Sequence, residues 1–157
     1  MRIAIGCDEA AYRLKVEIMK HLEKKDNIEL VDFGAMEGDV VLYPDVAYAV
    51  ADAVAANEYD RGILVCGTGI GMAICANKVP GIRAAVCHDP FSAERSRKSN
   101  NCQILCMGER VIGLELAKYI VDVWLACDFA GGGSTPKVQR INEVEKEHIR
   151  NYCEANR

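Results

Sequence analysis

Short apolar runs alternate with stretches of helical periodicity five times along the chain. The links between them are short, and a glycine-rich turn joins one run to the helix after it. These observations predict an α/β fold. It is a three-layer α/β/α sandwich around a five-stranded, parallel, doubly wound (Rossmann-like) sheet, with an extra C-terminal helix. The 157 residues, half of them hydrophobic, fit one domain over residues 1–157 with one well-buried core.

Residues 2–6 read as the first strand. Ala11, Leu14, Ile18 and Leu22 then recur at helical spacing, with Arg13, Lys15, Glu17 and Lys20 interleaved as the polar face. Residues 28–33 read as the second strand, ended by Gly34. A loop leads to Tyr43-Pro44-Asp45 and an alanine- and valine-rich helix over about 46–56. Residues 62–66 form the third strand, followed by Gly67-Thr68-Gly69-Ile70-Gly71 and a helix to about Asn77. Pro80-Gly81 is a turn, and residues 82–87 are the fourth strand. Asp89 has the chemistry of an N-cap and Pro90 that of a first helical residue, opening a helix to about Ser99. Residues 103–107 make the fifth strand. Leu114, Ala117, Val121 and Trp124 mark an amphipathic helix, broken by Gly131-Gly132-Gly133. The last helix, 136–152, has no sixth strand to cover and is expected to dock on a partner subunit.

Composition excludes several classes. The net charge of -4 leaves no footprint for nucleic acid or an anionic membrane surface. No apolar run approaches the roughly 20 residues of a membrane span. Met1-Arg2 leads directly into the first strand, so no leader segment is expected. The eight cysteines sit mostly in apolar stretches, without C-x-x-C spacing and without histidines placed to complete a zinc site. Reduced, buried thiols in a cytoplasmic protein that uses no metal or cofactor are the expectation.

The chemistry centres on Cys66-Gly67-Thr68-Gly69-Ile70-Gly71. A glycine turn from a parallel strand into a helix presents free N–H groups to an anion. A thiol beside a helix N-terminus ionises more readily than a free one. Together they suit an oxyanion such as an enediolate. The plainer reading is a tight turn with a buried cysteine. The spacing lacks both the G-x-G-x-x-G of dinucleotide sites and the G-K-[ST] of a P-loop. In a doubly wound sheet Asp8, Cys66, His88-Asp89 and Gly108-Glu109-Arg110 all fall at the carboxyl edge, where ligands bind. Asp8 also reads as a helix cap, and Tyr43 as packing over its loop. Lys137 and Arg140 are either an anion clamp or a solvated face. Arg95-Ser96-Arg97-Lys98 reads as a solvated helix face.

The ordered set of motifs resembles the family of type B ribose-5-phosphate isomerases and the two galactose-6-phosphate isomerase subunits. It includes Gly6-Cys7-Asp8, Asp32-Phe33-Gly34, Tyr43-Pro44-Asp45 and the Cys66–Gly71 turn. It continues through Ala76-Asn77-Lys78-Val79-Pro80-Gly81-Ile82-Arg83-Ala84, Asn100 and Gly108-Glu109-Arg110-Val111-Ile112-Gly113. The resemblance covers nearly the whole chain. It implies an aldose–ketose isomerase of small sugar phosphates, dimeric or tetrameric, with sites shared between two subunits and no metal. It makes Cys66 the base that moves a proton between C1 and C2, with Thr68 assisting at the oxygens. It gives the enediolate oxygen to Gly67, Gly69, Ile70, Gly71 and Asn100, and sugar contacts to Asp8 and Tyr43. It matches Lys137 to an arginine among the family's phosphate contacts, one turn before Arg140.

The chain departs from the family at four points. Glu9 stands where a histidine is usual. Ser99 stands where the family has the histidine that opens the furanose ring. Gly133-Ser134 replace Arg-His, and Lys137 matches an arginine. Asp8-Glu9-Ala10 is closer to one galactose-6-phosphate isomerase subunit, but that subunit lacks the cysteine turn present here. The expectations are therefore an isomerase of the ribose 5-phosphate type, or one for a tetrose 4-phosphate or an unphosphorylated aldose. A non-catalytic binding module and one subunit of a hetero-oligomer are the competing classes. If ribose 5-phosphate is the substrate, His88 is the remaining candidate for ring opening.

Overall fold

The computed structural model describes residues 1–156. The strands are β1 (Arg2–Cys7), β2 (Glu29–Asp32), β3 (Arg61–Cys66), β4 (Ala84–Val86) and β5 (Ile104–Gly108). The helices are α1 (Tyr12–Leu22), α2 (Tyr43–Ala55), α3 (Ile70–Ala76), α4 (Pro90–Lys98), α5 (Leu114–Leu125) and α6 (Thr135–Ala155). Short 3-10 turns precede α1 and α6. All strand pairs are parallel, in the order β2-β1-β3-β5-β4.

Alternation along the central strands divides the core in two. Ile3, Ile5, Ile63, Val65, Leu105 and Met107 face α1, α4 and α5. Ala4, Leu64, Ile104 and Cys106 face α2 and α3. This is the predicted sandwich. From β1 the chain moves outward to β2 and then crosses back past β1 to β3. The carboxyl ends of β1 and β3 therefore flank a crevice at the switch point. Asp8 and Cys66 sit at those two ends.

Several local expectations are corrected. Helix α2 starts at Tyr43, three residues early, because Pro44 lies in its first turn with φ already set for a helix. Strand β4 is short. Ile82 closes a turn on the Val79 carbonyl, and Arg83 N–H donates to the Gln103 side chain rather than to a strand. Lys15 leaves the polar face and is buried, because position 15 lies on the apolar stripe between Ala11 and Ile18. Its ammonium donates to Asp32 at 2.6 Å and to the Ala35 carbonyl at 2.7 Å. This ties the end of β2 to α1. Ser96 and Arg97 are likewise buried rather than solvated. The other end of α4 is as expected: the Asp89 side chain accepts from Ser92 N–H at 2.7 Å.

Candidate active site

At the switch point lies an open cleft of about 600 Å³. Strand β3 ends in Cys66, which is 6% exposed and lines the cleft. The turn after it is held by position-specific glycines. Gly69 has φ 77, and a Cβ there would lie 3.0 Å from the Met107 backbone. A Cβ on Gly108 would lie 2.6 Å from Thr68 Cα, so β5 presses directly on the turn. The loop after β5 fastens it further. Glu109 N–H donates to the Cys66 carbonyl at 2.9 Å, and Arg110 N–H donates to the Gly67 carbonyl at 3.1 Å. Gly69 N–H donates to Cys66 Sγ at 3.1 Å, which fixes the sulfur's direction. Ile70 N–H donates to the Thr68 hydroxyl at 3.4 Å. Among the described residues, Thr68 N–H and Gly71 N–H have no acceptor. Both residues line the cleft.

The opposite wall comes from the end of β1 and the start of α2. The Asp8 carboxylate caps the turn after β1, accepting from Ala10 N–H at 3.1 Å. Burial, and then the neighbouring Glu9 carboxylate, raise its pKa, while the Arg110 cation draws it back. Glu9 is exposed at the cleft rim. The Tyr43 ring lies over Gly71, where no side chain would fit without moving it. Gly67 and Ile70 complete the lining.

Arg110 also lines the cleft, with its guanidinium beside Gly67. The βα alternation puts it on this edge but assigns it no role. Its position directly after β5, the strand beside Cys66, was the available signal. Ile74, one turn into α3, is a second lining residue that was missed.

The remaining expected residues are elsewhere in the chain. Helix α4 begins at the carboxyl edge and returns to the amino edge, so Ser99 and Asn100 lie near the start of β4, where Arg83 Nε donates to the Asn101 carbonyl at 3.1 Å. The six residues of β3 separate the two edges by roughly 17 Å. Asn100 is therefore far from Cys66 of its own chain. The Ser99 hydroxyl accepts from the Arg95 guanidinium. Lys137 and Arg140 are exposed near the start of α6, where Arg140 pairs with Glu143 and Glu147. His88 does not line the cleft. Its Nε2 accepts from Gly108 N–H at 3.0 Å, so Nδ1 carries the ring proton, and burial lowers its pKa.

All eight cysteines are free, and Cys153 alone among them is exposed. Among the described residues, no group of three or more His, Cys, Asp or Glu side chains is placed to hold a metal ion. No described helix is long and apolar enough to cross a membrane.

Comparison with known proteins gives the family and the fold. The chain is 55% identical over 148 residues to a protein of Listeria innocua named ribose-5-P isomerase B, covering 94% of this chain and 99% of that one. It is 52% identical over 148 residues to the D-erythrulose-4-phosphate isomerase of Pectobacterium atrosepticum, covering 94% and 97%. The solved structure of Clostridium thermocellum ribose-5-phosphate isomerase B superposes with a TM-score of 0.91 at 50% identity, covering 94% and 99%. That of the type B enzyme from Trypanosoma cruzi gives 0.90 at 39%, covering 94% and 100%. The family model described as Ribose/Galactose Isomerase matches residues 3–141, and with the cysteine turn and its cleft in place the chain belongs to that family of aldose–ketose isomerases.

Proposed function

We propose that this isomerase works through a cis-enediolate with Cys66 as the base, and that its substrate is a tetrose 4-phosphate. The thiolate takes the proton from the carbon beside the carbonyl. The electron pair moves onto the carbonyl oxygen, and the same sulfur returns the proton to the other carbon. One sulfur reaches both carbons because they are adjacent. The unpaired N–H groups of the turn supply the donors for the developing oxyanion. The Thr68 hydroxyl, at the cleft, exchanges the proton between the two oxygens. Asp8 and Tyr43 contact the sugar hydroxyls, and Arg110, the one cation lining the cleft among the described residues, is placed for a phosphate.

The site is shared between two copies of the chain. Asn100, Ser99, Lys137 and Arg140 lie at the edge away from Cys66, so only a second subunit brings them to it. A homodimer is the smallest assembly that does so, and the exposed apolar residues of α6 suit that contact.

The observation that carries the substrate assignment is Ser99. A pentose 5-phosphate closes to a furanose and needs a proton shuttle to open it. A serine hydroxyl held by Arg95 is a poor shuttle near neutral pH, and His88 is engaged with Gly108. A tetrose 4-phosphate has its C4 oxygen blocked and stays open. Two relatives, at 52% and 50% identity, carry the name D-erythrulose-4-phosphate isomerase. Ribose 5-phosphate is the second reading, favoured by the name of the relative at 55%. The test compares kcat/KM for erythrulose 4-phosphate and ribose 5-phosphate, with Ser99→His alongside. The tetrose should be preferred by at least about tenfold, or roughly 1.4 kcal/mol of transition-state stabilisation. Ser99→His should raise the rate on ribose 5-phosphate. A clear preference for ribose 5-phosphate with no gain from Ser99→His overturns the assignment.

A further inference from the structure

Two arginines are buried at the amino edge of the sheet. Arg61 is 4% exposed and Arg97 8%. Their guanidiniums lie against the Trp124 ring, 5.3 and 6.0 Å from its centroid. They share one carboxylate: Asp128 Oδ1 is 2.7 Å from Arg61 and 3.9 Å from Arg97. Burial, and next the Arg61 cation, pull the Arg97 pKa down to about 10. A helix face that simply met solvent would carry no such cost.

What offsets the cost is a set of backbone bonds joining two segments distant in sequence. Arg97 Nη1 donates to the Cys102 carbonyl at 2.6 Å and to Asn101 Oδ1 at 3.4 Å. Arg97 Nε donates to the Cys127 carbonyl at 3.3 Å. Arg61 reaches the carbonyls of Trp124, Leu125 and Cys127. Asn101 takes the left-handed conformation, φ 50, and its N–H donates to the Arg97 carbonyl at 3.1 Å. Ala130 N–H donates to the Lys98 carbonyl at 3.1 Å. The turn carrying Asn100 and the segment leading into α6, with Lys137 in its first turn, are thus fastened to one guanidinium. Only a planar fork donates in these directions at once, and an ammonium on a flexible stem does not.

We infer that Arg97 is a positioning residue of the half-site that each subunit offers to the other: it locks the 99–101 turn and the 127–131 segment into one rigid unit, so that Asn100 and Lys137 meet the Cys66 of the second subunit in fixed register. This rests on the shared-site reading above. Because Asn100 is assigned to the enediolate oxygen, loosening it lowers kcat more than it raises KM.

The experiment uses mixed dimers. Arg97→Lys alone should fold, dimerise and lose at least about tenfold in kcat. Paired with Cys66→Ala through two affinity tags, the dimer contains one site with an intact Cys66 from the Arg97→Lys chain and an intact half-site from the Cys66→Ala chain. That dimer should recover about half of the native activity. A mixed dimer no better than the Arg97→Lys homodimer overturns the inference, as does native kcat in that homodimer. Pairing Asn100→Ala with Cys66→Ala is the control. If this pair also fails to recover, the shared site itself is wrong. If it recovers and the Arg97 pair does not, only the positioning role is wrong. Should Arg97→Lys fail to fold, Asn101→Gly replaces it. Glycine adopts the left-handed conformation freely but loses the side-chain bond to Arg97. The same recovery in trans is expected, and its absence overturns the inference.

Discussion

At the scale of single residues, the proposed chemistry rests on one sulfur. Cys66 is nearly enclosed, and among the described residues its sulfur accepts from one donor, the Gly69 N–H. Removing a general base of this kind costs on the order of 10²- to 10⁴-fold. Cys66→Ala should therefore lose at least about 10²-fold in kcat while the chain still folds and dimerises. Cys66→Ser should be nearly as poor, because an alcohol is a far weaker base than a thiol. Alkylation should inactivate the enzyme, and bound substrate should protect it. Burial raises the pKa of Cys7, Cys75, Cys87, Cys102 and Cys106, which slows their alkylation. Cys7 is pushed up to about 12 and Cys102 to about 11 by burial, and complete enclosure raises Cys106 as well. Cys153 is exposed and far along α6, so Cys153→Ser should leave the protection pattern unchanged. Near-native turnover in Cys66→Ala would remove the proposed mechanism.

At the scale of elements, the cleft depends on how closely α3 approaches its neighbours. Two glycines of one turn make opposite predictions. An alanine at Gly69 meets the Met107 backbone at 3.0 Å with φ 77, and neither can yield. The left-handed conformation alone costs an L-residue roughly 1–2 kcal/mol. Gly69→Ala should lower Tm by several degrees. An alanine at Gly71 meets the far end of the Tyr43 ring at 2.6 Å, and that ring is 41% exposed and free to swing out. Replacing a helical glycine returns about 0.5–1 kcal/mol. Gly71→Ala should leave Tm nearly unchanged but lower kcat/KM through the displaced tyrosine. Equal stability losses in a thermal melt would refute the distinction. Most of these elements were legible in sequence. All five strands and six helices are present in the expected order, with the start of α2 and the length of β4 displaced, because parallel strands buried on both faces leave unbroken apolar runs. Less legible were the burial of Lys15 and Arg97. Their charge argued for solvent, and only the Asp32 carboxylate with the Ala35 carbonyl for Lys15, and the Cys102 and Cys127 carbonyls for Arg97, make burial tolerable. Strand order carries no local signal, yet Asn100 follows α4 and precedes β5, so its edge followed from βα alternation alone.

At the scale of the whole molecule, α6 is the element that one chain does not explain. Its 21 residues extend about 30 Å. Val138 is its one buried residue, while Ile141, Ile149 and Tyr152 stand in the open. With Asn77, Lys78 and Pro80 they border a groove of about 890 Å³. The start of the same helix carries Lys137, and the nearby 99–101 turn carries Asn100. Docking this face on a second copy would satisfy the apolar residues and complete the site at once. Assembly and activity should then be one equilibrium. Ile141→Glu places a charge where the apolar face would be covered, and a buried unpaired charge costs more than an interface readily supplies. The variant should elute as a folded monomer with the native circular dichroism spectrum. It should turn over substrate at least about 10²-fold more slowly per chain at micromolar concentration. Because the loss comes from dissociation, activity per chain should rise with protein concentration, whereas in Cys66→Ala it should stay low at every concentration. A monomeric Ile141→Glu with native kcat would show that a single chain holds a complete site, and the assignment of Asn100 and Lys137 to the second subunit would be wrong.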